Sequence, residues 1–203
     1  MSIARERIEW CNIWIPQADE AALPRVLLIG DSITQGLYDD TAARLDGTAY
    51  VARLTTSRFL ADPVFLQEFA LVLGQYPWAV IVVNNGLHGF AYPEEAYAAG
   101  LPRLIAFLRE AAPAARLVWA QSTRILVTAT EAGRPDNDRV VARNAIARAV
   151  MTGLDVPVVD RYALVEPHPE WLSPDHVHFL EDGNRALGEQ TAEAVKQHLR
   201  NLV

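Results

Sequence analysis

The chain holds a single cysteine, Cys11, so no disulfide can form within it and no cluster of thiolates can hold a metal. Positive charge is scarce too. Its 18 Lys and Arg face 25 Asp and Glu, a formal charge of -7, which gives no long-range attraction for phosphate backbones or anionic membranes. Nucleic-acid binding is thereby set aside. No apolar run is long enough for a bilayer: the richest, FALVLGQYPWAVIVV from Phe69 to Val83, is broken by Gly74, Gln75 and Pro77 and falls short of roughly 18 apolar residues. The opening stretch, MSIARERIEW, lacks the basic-then-apolar layout of a signal peptide, which predicts a soluble protein in the cytoplasm. Internal repeats and low-complexity tracts are also missing. What remains, 203 residues of which 51% are hydrophobic, fits one domain with one core.

Four short apolar runs stand between polar or glycine punctuation: Val26 to Ile29, Ala79 to Val83, Leu117 to Ala120 and Val156 to Val159. Such runs suit strands buried on both faces, and Ala49 to Leu54 is a weaker fifth. Helical patterns lie between them. After Pro93, Tyr97, Leu101, Leu104 and Leu108 recur at helical spacing, and Pro102 is expected to kink or split that helix. Asp138 to Met151 forms another pattern, capped near Asn137 or Asp138 and stopped at Gly153, and a last helix spans about Asp182 to Arg200 with Leu187, Ala194, Val195 and Leu199 inward. Strand alternating with helix predicts a three-layer α/β/α domain over residues 25–203, built on a parallel five-stranded sheet. Residues 1–24 fall outside the alternation, and Trp10, Trp14 and Pro16 mark them as an arm packed on the domain.

Ligands of open parallel sheets bind beyond the carboxyl ends of the strands, which directs attention to the loops GDSITQG, NNGLHGF, QSTR and SPDHVHF. In the first, Asp31 or Ser32 can simply cap the following helix. A serine on a tight strand-to-helix turn can also present its hydroxyl and its own N–H at the top of the sheet. Serine needs a base to become a nucleophile, and a base needs an orienting acid. Asp175 and His178, three positions apart, suit that pair: the carboxylate can reach the Nδ1 side of the imidazole and leave Nε2 for Ser32. His176 and His178 could instead ligate a metal, with His168 or Asp175 nearby.

The stretch GDSIT, Gly30 to Thr34, resembles the first block of the GDSL or SGNH hydrolases, and DHVH, Asp175 to His178, resembles their closing Asp-x-x-His block. The resemblance implies a flavodoxin-like fold and ester hydrolysis with no metal or organic cofactor. It makes Ser32 the nucleophile, His178 the base and later the acid, and Asp175 the group that orients His178. Substrates in that family are acetyl groups on sugars, acyl chains on lipids or thioesters, and small synthetic esters.

Two departures concern the oxyanion donors. The family places a glycine amide after the second strand, but this chain has no glycine between Gly47 and Gly74, which leaves the turn from Thr55 to Ser57 to supply that donor. The family's Gly-x-Asn-Asp block after the third strand reads NNGLHG here. With Gly86 on the family glycine, His88 falls where asparagine is expected and Gly89 where aspartate is expected. A neutral His88 has one N–H to donate, and Asn85 is the rival, while Asn84 suits a turn.

Tyr38, Phe90, Tyr92 and Trp171 fall in or beside the top loops, where aromatic faces suit sugar rings or aryl esters as well as ordinary packing. Arg124 and Arg134 could meet an anionic group. No long apolar lid is visible. The reading is therefore a carboxylic ester hydrolase for short, acetyl-type esters of carbohydrates or small molecules. Its rivals are a lysophospholipase or thioesterase, and a carbohydrate- or phosphate-binding protein that has no catalysis.

Overall fold

The computed structural model of the chain describes residues 3–127 and 135–200. Its centre is a sheet in the order β1-β3-β2-β4-β5-β6, formed by β1 (Cys11–Trp14), β2 (Arg25–Gly30), β3 (Tyr50–Thr56), β4 (Trp78–Val83), β5 (Arg116–Ala120) and β6 (Val158–Val159). The five strands from β2 onward are mutually parallel. β1, which the composition of residues 1–24 did not announce, adds a sixth strand by pairing antiparallel with β3, Cys11 opposite Thr56 and Trp14 opposite Arg53. Its four residues are all exposed, and it lies outside the alternation of strand and helix that begins at β2. The short strand also covers the β3 edge, where unpaired backbone would otherwise meet water.

Every residue of β2 is buried, as expected for a strand covered on both faces. Alternate side chains serve different layers. Leu27 and Ile29 join a cluster with Phe65 and Phe69 of α3 (Pro63–Leu73), Leu101, Leu104 and Leu108 of α4 (Glu94–Ala111), and Met151 of α5 (Asn137–Gly153). Val26 and Leu28 face Ile33 of α1 (Ser32–Gly36), Tyr38 of α2 (Tyr38–Arg44), Val165 of α6 (Arg161–Val165), and Leu187 and Val195 of α7 (Glu181–Arg200). Fully burying each such aliphatic side chain stabilises the fold by about 1.5–3 kcal/mol.

Pro102 does not split α4, which runs unbroken through 18 residues. The proline lies on the exposed side while its neighbours Leu101 and Leu104 are buried, so the carbonyl left without a donor one turn back can be hydrated. The cap of α5 is Asp136, whose side chain accepts from the Asp138 amide, rather than Asn137 or Asp138. Among the described residues no helix is long and apolar enough to cross a membrane. Chain order around β2 reverses direction between β3 and β4, and in an open α/β sheet that crevice is where ligands gather.

Candidate active site

The turn after β2 separates the two roles left open for it. Asp31 is the cap: its Oδ1 accepts from the Ile33 amide at 3.0 Å. Ser32 is thus free of capping duty at the first position of α1, and its own N–H is one of those with no acceptor inside a helix. Gly30 is required just before it, because a Cβ there would lie 2.1 Å from Thr34 Oγ1. A phosphate cradle at this turn is disfavoured by the same arrangement, since the Asp31 carboxylate already sits on the helix start. Asp31 is buried, and beneath it lies the fully buried Arg161, whose guanidinium burial pushes down to about 10 while the Asp31 charge acts the other way.

Ser32 Oγ lies 2.7 Å from His178 Nε2, and His178 Nδ1 lies 2.6 Å from Asp175 Oδ2. The second carboxylate oxygen of Asp175 accepts from Ser173 Oγ at 2.7 Å and from the amides of Val177 and His178, each at 2.9 Å. Partial burial opposes the charged form, but these donors prevail and hold the Asp175 carboxyl far below the usual carboxylate range. A tight loop makes this possible. Leu172 bridges to Phe179, the Ser173 amide donates to the His178 carbonyl at 2.8 Å, and His176 takes a left-handed φ of 62° at the tip. His176 is exposed, and its backbone is bonded to Ser173 and Leu126. Among the described residues no group of three or more His, Cys, Asp or Glu side chains could hold a metal ion.

A cavity of about 570 Å³ opens over Ser32 and His178. Leu87, His88, Phe90, Pro135 and Val177 are among the residues that line it, and one side of its wall is the arm from Ala4 to Ile8. The sequence places the arm on the domain but gives no sign that it reaches the site. Glu6 bonds His88 Nδ1 at 3.0 Å and accepts from the Gly89 amide at 3.0 Å. The His88 side chain is mostly buried, and the edge of its ring meets Trp10 at 6.1 Å. Burial disfavours its cation, yet the bond to Glu6 and the charges of Asp31, Glu6 and Glu9 outweigh that and raise its pKa above the ordinary histidine value. Glu6 shifts the opposite way: burial pushes it up, but the bonds to His88 and Gly89 leave its pKa lowered.

The other expected oxyanion residues are placed elsewhere. Asn85 is buried with its amide committed, Nδ2 donating to the Arg58 carbonyl at 2.9 Å and Oδ1 accepting from the Leu60 amide at 3.4 Å. It does not line the cavity. Ser57 has its amide on the Trp10 carbonyl at 3.1 Å and its hydroxyl on the Trp10 amide at 2.9 Å, so the arm has taken the donor that the turn after β3 was expected to offer. Gly86 contributes its carbonyl to Arg143, and Asp31 its carboxylate to the cap. Asn84 braces the sheet top by donating to the Ala120 carbonyl at 2.8 Å.

Of the four aromatics, only Phe90 faces the cavity. Tyr38 donates to the Val51 carbonyl, Tyr92 stacks on Phe59 and accepts from the Ala4 amide, and Trp171 stacks on His168. Arg124 donates to the Glu166 carbonyl, and Arg134 lies outside the described residues. Arg143 carries a role with no sequence signal. Fully buried, it donates to the carbonyls of Gly86, His88 and Gly89 at 2.9, 2.7 and 3.0 Å and so clamps the loop bearing His88. Gly89, at φ +67° and against Phe59, takes a conformation and a space that a side chain would spoil.

Comparison with known proteins gives a consistent result. The model of the GDSL-like Lipase/Acylhydrolase family matches residues 28–186. Among curated proteins no sequence relative was found. Several solved structures are similar. A carbohydrate acetylesterase family member from Sinorhizobium meliloti superposes with a TM-score of 0.69 at 20% identity, covering 87% of this chain and 99% of the other. The aryl esterase of M. Smegmatis gives 0.69 at 19% identity, with coverage of 86% and 99%. The lipase/acylhydrolase of Enterococcus faecalis gives 0.68 at 18% identity, with coverage of 86% and 96%. At these identities the structural likeness establishes the SGNH hydrolase fold.

Proposed function

Because this chain belongs to the GDSL-like lipase/acylhydrolase family, we propose that it is a serine esterase that cleaves short acyl groups, acetyl foremost, from carbohydrates or small molecules. The observation that carries the reading is the unbroken contact from Asp175 through His178 to Ser32, 2.6 and then 2.7 Å. In the first step Nε2 of neutral His178 takes the Ser32 proton as Oγ bonds to the ester carbonyl carbon. Asp175 keeps the Nδ1 proton in place and stabilises the imidazolium that forms. The carbonyl oxygen becomes an oxyanion, met by the Ser32 amide at the start of α1 and by an N–H of His88. Collapse breaks the bond to the alkoxy oxygen, which leaves as an alcohol carrying the proton from His178. Water then attacks the acyl-serine by the same route and releases the acid.

The cavity supports a small substrate. About 570 Å³ lies within the ordinary range for small-molecule sites, and the arm from Ala4 to Ile8 forms one side of it. The similar structures include carbohydrate acetylesterases and an aryl esterase, which supports the same class here. The test is hydrolysis of p-nitrophenyl acetate and p-nitrophenyl octanoate by the wild type and Ser32→Ala between pH 5 and 9. Acetate turnover that exceeds octanoate turnover and vanishes in Ser32→Ala is expected. Equal turnover in the two proteins would return Ser32 to a purely structural place on α1.

A further inference from the structure

Sequence separation hides one pairing at the rim of the cavity. Glu6 and His88 are 82 positions apart, yet both carboxylate oxygens of Glu6 approach Nδ1 of the imidazole, at 3.1 and 3.0 Å. Several contacts make this a built arrangement. The arm is anchored on each side of Glu6: Arg5 pairs with Asp62, and Trp10 exchanges bonds with Ser57 where β1 begins its pairing with β3. Glu6 also accepts from the Gly89 amide, and Arg143 holds the His88 carbonyl from the other side at 2.7 Å. His88, Ser32 and His178 all line one cavity.

A carboxylate only accepts, so Nδ1 of His88 must carry a proton toward Glu6. The neutral ring then has a bare lone pair at Nε2, which would repel a developing oxyanion. Only the imidazolium bears an N–H at both nitrogens. We propose that Glu6 is a positioning residue that fixes His88 by Nδ1 and holds it as an imidazolium, so that Nε2–H serves the oxyanion as a charged donor. This second acid–histidine pair rests on the serine-esterase reading and uses histidine in the opposite state from the first. His178 must be neutral to accept the Ser32 proton, whereas His88 must be protonated to donate.

Turnover therefore has an alkaline limb, falling with pH as His88 loses its proton. Groups facing His88 agree with a retained cation. The arm contributes Glu6 and Glu9, and the turn after β2 contributes Asp31, against Arg5 and Arg7 on the arm, Arg143 of α5, and His178 across the cavity. Net opposition from the three carboxylates leaves His88 with a raised pKa.

The experiment compares wild type, Glu6→Gln, His88→Asn and Ser32→Ala by pH profiles of kcat and kcat/KM on p-nitrophenyl acetate, with the His88 ring followed by NMR titration. Glu6→Gln retains the shape and a hydrogen-bond acceptor but removes the charge. Its alkaline limb and its His88 titration are expected to move together to lower pH, with kcat lost at alkaline pH and KM nearly unchanged. His88→Asn offers a donor that does not titrate, so its alkaline limb is expected to disappear. An unmoved limb in Glu6→Gln, or an equal loss at every pH, would overturn the proposal and leave Glu6 an anchor of the arm. Turnover that survives Ser32→Ala would overturn the esterase reading itself, a different outcome from failure at Glu6.

Discussion

Asp175 accepts four hydrogen bonds, from Ser173 Oγ, the Val177 and His178 amides and His178 Nδ1, and this count explains why a carboxylate is needed there. An asparagine has one acceptor oxygen and turns an NH2 toward groups that already donate. If its amide group faces Nδ1, the imidazole is held in the wrong tautomer and Nε2 can no longer accept from Ser32. Asp175→Asn is expected to retain the fold, as read by its melting temperature, while kcat on p-nitrophenyl acetate falls by about 10⁴-fold, the scale at which an orienting acid acts in serine triads. A loss below tenfold would show that His178 needs no orienting charge.

Between elements, the loop after β4 depends on a helix it does not adjoin in sequence. Arg143 of α5 satisfies three carbonyls of residues 86–89 and bonds Glu94 at the start of α4 at 3.2 Å, while its guanidinium lies over the rings of Phe59 and Phe90. Burial lowers the pKa of this arginine, with Arg139 adding repulsion and Glu94 opposing both. Arg143→Met leaves those carbonyls buried without donors and is expected to lower unfolding free energy by about 3 kcal/mol in urea titrations. Turnover is expected to fall with it, since His88 rides on the loop. An unaltered urea midpoint would mean that water replaces the guanidinium.

This interaction also shows what the sequence could and could not reveal. That Ser32, Asp175 and His178 would meet was legible because their local motifs stand at recognisable chain positions: after a fully buried run, and before an amphipathic helix. The two layers were legible for the same reason, since Leu27 and Ile29 alternate with Val26 and Leu28 along one short strand. Arg143 and Glu6 were not. Each works only through a partner that the topology brings from more than 50 positions away, and alone each resembles any other charged residue. The turn from Thr55 to Ser57 was read as open because the segment that bonds it, Trp10 and β1, is short and stands outside the alternation of strand and helix.

Over the whole molecule, two of the perturbed groups, Asp175 and His88, lower stability at opposite ends of the pH range. Asp175 has a folded pKa below its unfolded one, so its contribution is complete above the ordinary carboxylate range and is lost as pH falls through the folded value. His88 has a folded pKa above its unfolded one, so its contribution is complete below the ordinary histidine value and is lost as pH rises through the raised one. Urea unfolding across pH is expected to give a plateau with a decline on each side. Glu6→Gln is expected to flatten the alkaline decline and, because the lowered Glu6 carboxyl goes with it, to soften the acid side, where Asp175 still acts. An alkaline decline of wild-type steepness in that variant would assign it to groups other than His88.

The arm has one practical consequence for anyone handling the protein. Ala4 to Ile8 form a wall of the cavity over Ser32, ahead of β1, while Ile3 lines a second cavity beside Asp62 and Arg103. Exchanging residues 4–8 alone can therefore recast the shape and charge of that cavity while every strand of the sheet keeps its own sequence.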